Sequence, residues 1–543
     1  MIGAGNEAAT GHPAGTAELG WIAPAAIPVT IDEIPRRGAE RFGERIALAA
    51  GSAEVSYAEL ERRTAAVAGG LRLAGIGAGD RVALVLANSV DYLAAYFGVA
   101  RAGAVALPIG TRLHPSEMRF LLDHSGAVAV IADAANRAAA TEAAAGAAAI
   151  LDLSDLLAAT PTGAGSGREA DDDAAIFYTS GTTAQPKGVR LTHRSIVHAA
   201  AVSGNAYRIT ADDVALALLP LYHTTTHFMP LPTLMAGGTV VPQEGFGAAT
   251  VFDLLERHRV TLFPMVTAIG VLMAGHARET GRRPRLDSLR YLFVGGAAVP
   301  RSLISDWGEI APATGIVNSY GLTEMGPPVA GLLPDVHAQR EGSVGPPYEG
   351  IEVMIADPDG TPQAPGEVGE ILTRGDSIMA GYWRNEEATA AAIRDGWLRT
   401  GDLGRQDEDG YLWIVGREKQ MIKRGGENVF PNEVEDVLSR HPQVAEAQVV
   451  GVPDEVMGER VCAIVSAPAG VEVDDEGVIA YCREQMSDLK VPEYLVVLPG
   501  ELPKNGIGKV DVRLLAERAR GGALPLRDFR RGRARQRPSE RGA

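Results

Sequence analysis

Between Asp80 and Asp133, apolar runs of strand length alternate with helix-forming stretches, and this alternation narrows the fold more than any other feature of the chain. Asp80-Arg-Val-Ala-Leu-Val-Leu86, Ala104-Val-Ala-Leu-Pro108 and Ala127 to Asp133 read as strands. The first is apolar without a period of two, the pattern of a strand covered on both faces. Ser56 is placed to cap a helix running to about Ala74. Tyr92 to Ala102 and the alanine-rich Ala134 to Ala149 are expected as helices. Strand and helix at this spacing predict an α/β domain with a mostly parallel sheet.

With 543 residues the chain is long enough for two or three domains with real cores. A net charge of −17 argues against a nucleic-acid surface. Cys462 and Cys482 are too few for a disulfide framework or a cysteine metal cluster and fit free thiols in a reducing, cytoplasmic setting. No run approaches the length of a membrane span, and the first residues lack the basic and apolar regions of a secretory signal.

The chemistry concentrates first in Tyr178-Thr-Ser-Gly-Thr-Thr-Ala-Gln-Pro-Lys-Gly188. Gly181 and Gly188 allow successive backbone N–H groups to converge on an anion. Ser180, Thr182 and Thr183 add hydroxyl donors, and Lys187 adds a point charge suited to phosphate. Such a loop should hold a polyphosphate. It is not a P-loop, because Pro186 has no N–H to give and no Ser or Thr follows Lys187. A second signal is Tyr291-Leu-Phe-Val-Gly-Gly-Ala-Ala298, a strand ending in Gly295 and Gly296 where a flat ring could lie against backbone. Residues 341–400 read as short strands with Pro/Gly turns, a small β-rich subdomain. From Pro431 a small α+β unit follows, with helices at Asn432–Leu438 and Gly477–Ser487 and strands at Val444–Val452 and Arg460–Ser466. The arginine-rich stretch from Gly521, including Arg527, Arg530 and Arg531, has few apolar residues and is expected to be an unfolded tail.

Taken together with Gly315-Ile-Val-Asn-Ser-Tyr-Gly-Leu-Thr-Glu-Met325, Trp397-Leu-Arg-Thr-Gly-Asp402, Gly416-Arg-Glu-Lys-Gln-Met-Ile-Lys-Arg-Gly-Gly426 and Leu502-Pro-Lys-Asn-Gly-Ile-Gly-Lys509, the loop resembles the adenylate-forming superfamily. That group includes acyl-CoA synthetases, adenylation domains of peptide synthetases and luciferases. The resemblance covers about residues 30–515. It departs at Ala184, where glycine is usual and where a positive φ would cost about 1 kcal/mol, and at Asn505, where threonine is common.

The resemblance implies a large N-terminal domain of α/β layers with the β-rich subdomain (residues 21–418). A small mobile α+β lid follows (419–520), with a loose arm at 1–20 and the basic tail at 521–543. It implies an ATP-dependent, AMP-forming carboxylate–CoA ligase using ATP, Mg²⁺ and coenzyme A. Thr179, Ser180, Gly181, Thr182, Thr183 and Lys187 would hold the phosphates. Gly296 and Ala297 would form the adenine wall, with Ser319 and Gly321 beside it. Tyr320 would stack on adenine, Thr323 would meet phosphate and Glu324 would bind magnesium. Asp402 would take both ribose hydroxyls, and Arg417 would reach ribose or the α-phosphate. Lys423 would touch the nucleotide, and Gly425 and Gly426 would line a tunnel for pantetheine. Lys419 would be the hinge and Lys509 the catalytic lysine, acting with Lys187, Glu324 and Thr182. Tyr222, His223, Thr224, Val294, Gly295, Ala298 and Met325 would form the acid pocket. None of these is Lys or Arg, so the expected substrate is an aromatic or medium-length aliphatic monocarboxylic acid. Loading of a separate carrier protein and an inactive ATP-binding regulatory protein are the alternatives, and a homodimer is allowed.

Overall fold

The computed structural model describes residues 27–179, 186–295, 299, 301–334, 340, 342–417, 420–425, 427–468, 470–504 and 510–530. Local signals account for its first elements. Ser56 Oγ accepts the Glu59 amide at 3.2 Å and caps the helix Tyr57–Leu73. The strand Arg81–Val85 lies between Val105–Pro108 and Ala129–Ala132 and runs parallel to both. Its residues 82–85 are all buried, as an apolar run without alternation requires.

These strands belong to a seven-stranded sheet. Asp173–Thr179 joins it beside Val105–Pro108, and Lys187–Thr192 returns antiparallel alongside. The two-residue strand Gly381–Tyr382 closes the edge against Val189 and Arg190. An eight-stranded sheet holds Val214–Ala217, Leu262–Val266, Tyr291–Gly295 and Gly315–Tyr320 as parallel neighbours. Gly295 stands opposite Ser319. The helix Val90–Arg101 is buried along nearly its whole length, and the apolar cluster around it includes Val82 from one sheet and Phe293 and Val317 from the other. Two sheets with helices packed between them place their strand ends, and hence their loops, on a common rim.

The β-rich unit is a five-stranded antiparallel sheet built on Glu352–Ala356, Gly369–Arg374, Trp397–Gln406 and Leu412–Arg417. The small C-terminal unit packs the helices Pro431–Ser439 and Asp475–Gln485 on a six-stranded sheet centred on Gly458–Ser466. Among the described residues no helix is long and apolar enough to cross a membrane.

Two expectations change. The alanine-rich helix covers only Arg137–Ala144, because Ala145 (φ 47°) and Gly146 (φ 81°) turn left-handed and stop it. Ala149–Asp152 is instead the parallel edge strand beside Ala129–Ala132. The expected unfolded tail also starts too early at Gly521. Leu524 is buried with Leu502 and Leu515, and Arg527–Asp528 pairs antiparallel with Tyr494 and Leu495. A few well-placed apolar residues and an open sheet edge suffice to dock a short basic segment. Residues 531–543 lie outside the described ones.

Candidate active site

Asp402 and Arg417 face each other across adjacent antiparallel strands. Arg417 Nε donates to Asp402 Oδ1 at 2.9 Å, and the Tyr320 hydroxyl donates to Oδ2 at 2.7 Å. The Asp402 side chain is 8% exposed and that of Arg417 58%, so the bond to Tyr320 is sheltered while the bond to Arg417 is open to solvent. Loss of solvent raises the Tyr320 pKa, and the Asp402 charge adds to this. Gly321 follows at a tight point, since a Cβ there would lie 2.8 Å from Pro327 Cβ.

The phosphate strand ends at Thr179, which pairs in register with Lys187. Lys187 Nζ sits 4.8 Å from the centre of the Tyr382 ring. The Tyr382 hydroxyl donates to Glu324 Oε1 at 3.0 Å. Glu324 lies in a short 3₁₀ turn, Thr323–Met325, and its carbonyl accepts the Met379 amide at 2.8 Å. Tyr382 thus ties the phosphate lysine to the expected magnesium carboxylate. The sequence motifs do not include it, because no spacing links it to either partner, and the one cue is an aromatic pair after Gly381. Burial raises the Tyr382 pKa, and Glu324 raises it further.

Both groups line one cleft of about 4050 Å³, which also borders the small C-terminal unit. Its walls include Tyr222, His223, Thr224 and Gly295, together with Phe228 and Phe293. Thr224, Val294 and Met325 are buried. Gly110 lets Tyr222 approach closely, since a Cβ there would lie 3.3 Å from its ring. Burial raises the Tyr222 pKa, while Arg112, itself exposed, lowers it. Thr323 is buried, and Ser319 lines the cleft beside Tyr320.

Lys423 is exposed, with its amide bound to Glu459, and Gly425 takes φ +60° with its amide bound to Met457 O at 2.7 Å. Ser180, Gly181, Thr182, Thr183, Ala184, Gly296, Ala297, Ala298, Lys419, Gly426, Asn505 and Lys509 lie outside the described residues. Among the described residues no group of three or more His, Cys, Asp or Glu could hold a metal ion. Glu324 fits the other way magnesium is held, by one protein carboxylate plus the oxygens of a bound phosphate. Tyr382 occupies one side of that carboxylate and fixes its orientation.

The family model of the AMP-binding enzymes matches residues 35–383, and that of their C-terminal domain matches residues 433–509. A feruloyl-CoA synthase of Amycolatopsis sp. is 38% identical over 478 residues, covering 88% of this chain and 96% of the relative. A long-chain-fatty-acid–CoA ligase of Mycobacterium tuberculosis is 35% identical over 475 residues, covering 85% and 93%. Among solved structures, the o-succinylbenzoate–CoA synthetase of Bacillus subtilis in complex with ATP and magnesium ion superposes with a TM-score of 0.80 at 30% identity, covering 89% of this chain and 99% of that one.

Proposed function

The chain belongs to the AMP-binding enzyme family, and from that membership we propose that it joins a monocarboxylic acid, aromatic or of medium aliphatic length, to coenzyme A. Its enzyme class is that of the ATP-dependent carboxylate–CoA ligases. The observation that carries the reading is that Tyr320–Asp402–Arg417 and Lys187–Tyr382–Glu324 line the same cleft.

In this reading the Tyr320 ring faces the adenine and Asp402 receives the ribose hydroxyls. Arg417 donates to that carboxylate and holds it in place. The acid enters past Tyr222 and His223, and its carboxylate oxygen attacks the α-phosphorus of ATP. The bond from that phosphorus to the pyrophosphate oxygen breaks, leaving acyl-AMP. The obstacle is the meeting of two anions. Lys187 and Lys509 offset that repulsion and the charge that grows on the phosphoryl oxygens. Bound magnesium, held by Glu324, would neutralise phosphate charge. In the second half-reaction the thiol sulfur attacks the acyl carbon and AMP departs. The division at 418/419 belongs to the same reading: the lid turns about Lys419, withdraws Lys509 and brings Gly425 and Gly426 to the acyl group.

Three features support a monocarboxylic acid. Phe228 and Phe293 line the cleft, whereas Val294 and Met325 are buried in the core and are not among its lining residues. Of the expected pocket residues, Tyr222, His223, Thr224 and Gly295 line the cleft and none is Lys or Arg, while Arg112, the cation that acts on Tyr222, lines the same cleft from an exposed position. Both curated relatives named above carry acids with large apolar parts. The test is ATP–pyrophosphate exchange over a panel of aryl, aliphatic and amino acids, with Lys509→Ala as control. Exchange that disappears in the variant, followed by thioester formation on adding coenzyme A, is the expected result. Exchange without a CoA thioester points to a carrier protein, and no exchange with any acid points to a regulatory ATP-binding protein.

A further inference from the structure

The small unit carries two loops with different expected roles, and each is tied down by its own carboxylate, that of Glu493 buried and that of Glu446 half-buried. On one side Glu493 Oε1 pairs with Arg424 Nη2 at 2.8 Å and also with Arg460. The Arg424 and Glu493 side chains are 12% and 11% exposed. Arg424 also donates to the carbonyls of Asp488 and Leu489. Its neighbours are held as well: the Lys423 amide donates to Glu459 at 3.0 Å, and the Gly425 amide to Met457 O at 2.7 Å. Lys423, Arg424 and Gly425, the first of the glycine pair, are therefore fixed to the small unit. The docked C-terminal segment reinforces this, since the Phe529 amide donates to Glu493 O at 2.8 Å.

On the other side Glu446 holds the stem on which Lys509 is expected. Its Oε2 accepts the Leu502 amide at 2.8 Å, and its Oε1 pairs with Lys504 Nζ at 2.8 Å. Lys504 bridges to Val510, and the Asp511 amide donates to Pro503 O at 2.7 Å, so both ends of the stem are joined. Lys504 also pairs with Glu501 at 3.0 Å and Arg460 with Asp454, so neutralising either glutamate frees the segment it holds while those cations keep a second carboxylate.

We infer that Glu446 and Glu493 are positioning residues dedicated to different half-reactions: Glu446 fixes the lysine stem for adenylation, and Glu493, through Arg424, fixes the glycine loop for transfer to coenzyme A. This rests on the acyl-CoA synthetase reading above. Glu446 opens the strand Glu446–Asp454, Glu493 immediately precedes the strand Tyr494–Leu498, and the two carboxylates share no partner among the described residues, so each can be altered alone.

The experiment measures the two half-reactions separately in the full-length protein. Adenylation is read as ATP–pyrophosphate exchange. Transfer is read as CoA thioester formed from a synthetic acyl-adenylate. Glu446→Gln should slow exchange roughly 10- to 100-fold, the scale of a small misplacement of a reacting group, and leave transfer within about twofold. Glu493→Gln and, independently, Arg424→Gln should do the reverse, mainly by raising KM for coenzyme A. The unaffected half-reaction in each variant reports that the protein has folded. A variant that slows both half-reactions alike, or neither, overturns the inference. A wild-type protein that performs neither reaction overturns the acyl-CoA synthetase reading and this inference with it.

Discussion

The hydroxyl of Tyr320, on the last residue of the strand Gly315–Tyr320, donates to Asp402 Oδ2 at 2.7 Å, joining the eight-stranded sheet to the β-rich unit. Tyr320→Phe keeps the ring and loses this bond. A single hydrogen bond to a charged group is worth about 1.5–3 kcal/mol, so KM for ATP should rise roughly 10-fold while kcat changes little. Asp402→Asn removes the carboxylate that Tyr320 and Arg417 share and that is expected to receive the ribose, and should cost more, roughly 100-fold in kcat/KM for ATP. Initial rates against ATP concentration check both.

The stacking of Lys187 on Tyr382 separates two contributions of one side chain. Tyr382→Phe keeps the ring under the ammonium and removes the bond to Glu324. Tyr382→Leu removes both. A cation–π contact is worth about 0.5–2 kcal/mol. The leucine variant should therefore fall roughly 3- to 30-fold below the phenylalanine variant in adenylation rate. For the phenylalanine variant, the magnesium concentration giving half-maximal rate should rise, because Glu324 is no longer oriented. A magnesium titration of both variants decides this.

Acid sensitivity should trace in part to His193. The ring is fully buried, and its Nδ1 accepts the Ile31 amide at 3.2 Å, so a proton cannot be added there without losing that bond. Burial holds its pKa down at about 4, with Asp32 and Asp172 opposing and Arg168 assisting. The unfolded chain, with a histidine pKa of about 6.5, takes up the proton first. This contribution is therefore complete above about pH 6.5 and is lost as pH falls toward 4, the loss reaching roughly 2 kcal/mol by about pH 5. His193→Asn keeps an acceptor and cannot titrate. Its unfolding free energy, measured by urea titration, should fall less steeply than wild type between about pH 6.5 and 4. Identical slopes would refute the assignment.

Gly331 pairs with Ser319 on the edge of the same sheet, and a Cβ there would lie 1.6 Å from the Tyr348 hydroxyl. Tyr348 is buried against Tyr207, with the two hydroxyls hydrogen-bonded. Gly331→Ala must displace a ring that has nowhere to go and should cost at least about 3 kcal/mol. Thermal unfolding measures this directly.

Elements announced by local chemistry are legible in the sequence. Ser56 ahead of an amphiphilic run marks the helix start, and the unbroken apolar run after Arg81 marks a central parallel strand. The residues expected to hold the nucleotide can be named from sequence because they sit in short dense motifs. What escapes depends on contacts across long separations. Tyr382 reaches Glu324 only because its two-residue strand closes the sheet edge next to Lys187–Thr192. Arg417 is expected from its motif to point at ribose or phosphate, yet its guanidinium holds Asp402, a pairing set by strand register. The left-handed turn at Ala145 and the docking of Leu524 depend likewise on tertiary fit, which composition does not record.

The proposed attack by the acid's own oxygen on the α-phosphorus of ATP fixes where that oxygen ends up. It is tested most directly by turning over a substrate whose carboxylate carries heavy oxygen and examining the products by mass spectrometry. One labelled oxygen should appear in AMP, because the carboxylate oxygen bridges to phosphorus in acyl-AMP and leaves with it. Label in inorganic phosphate, with ADP as the nucleotide product, would mean attack at the γ-phosphorus and would contradict the account.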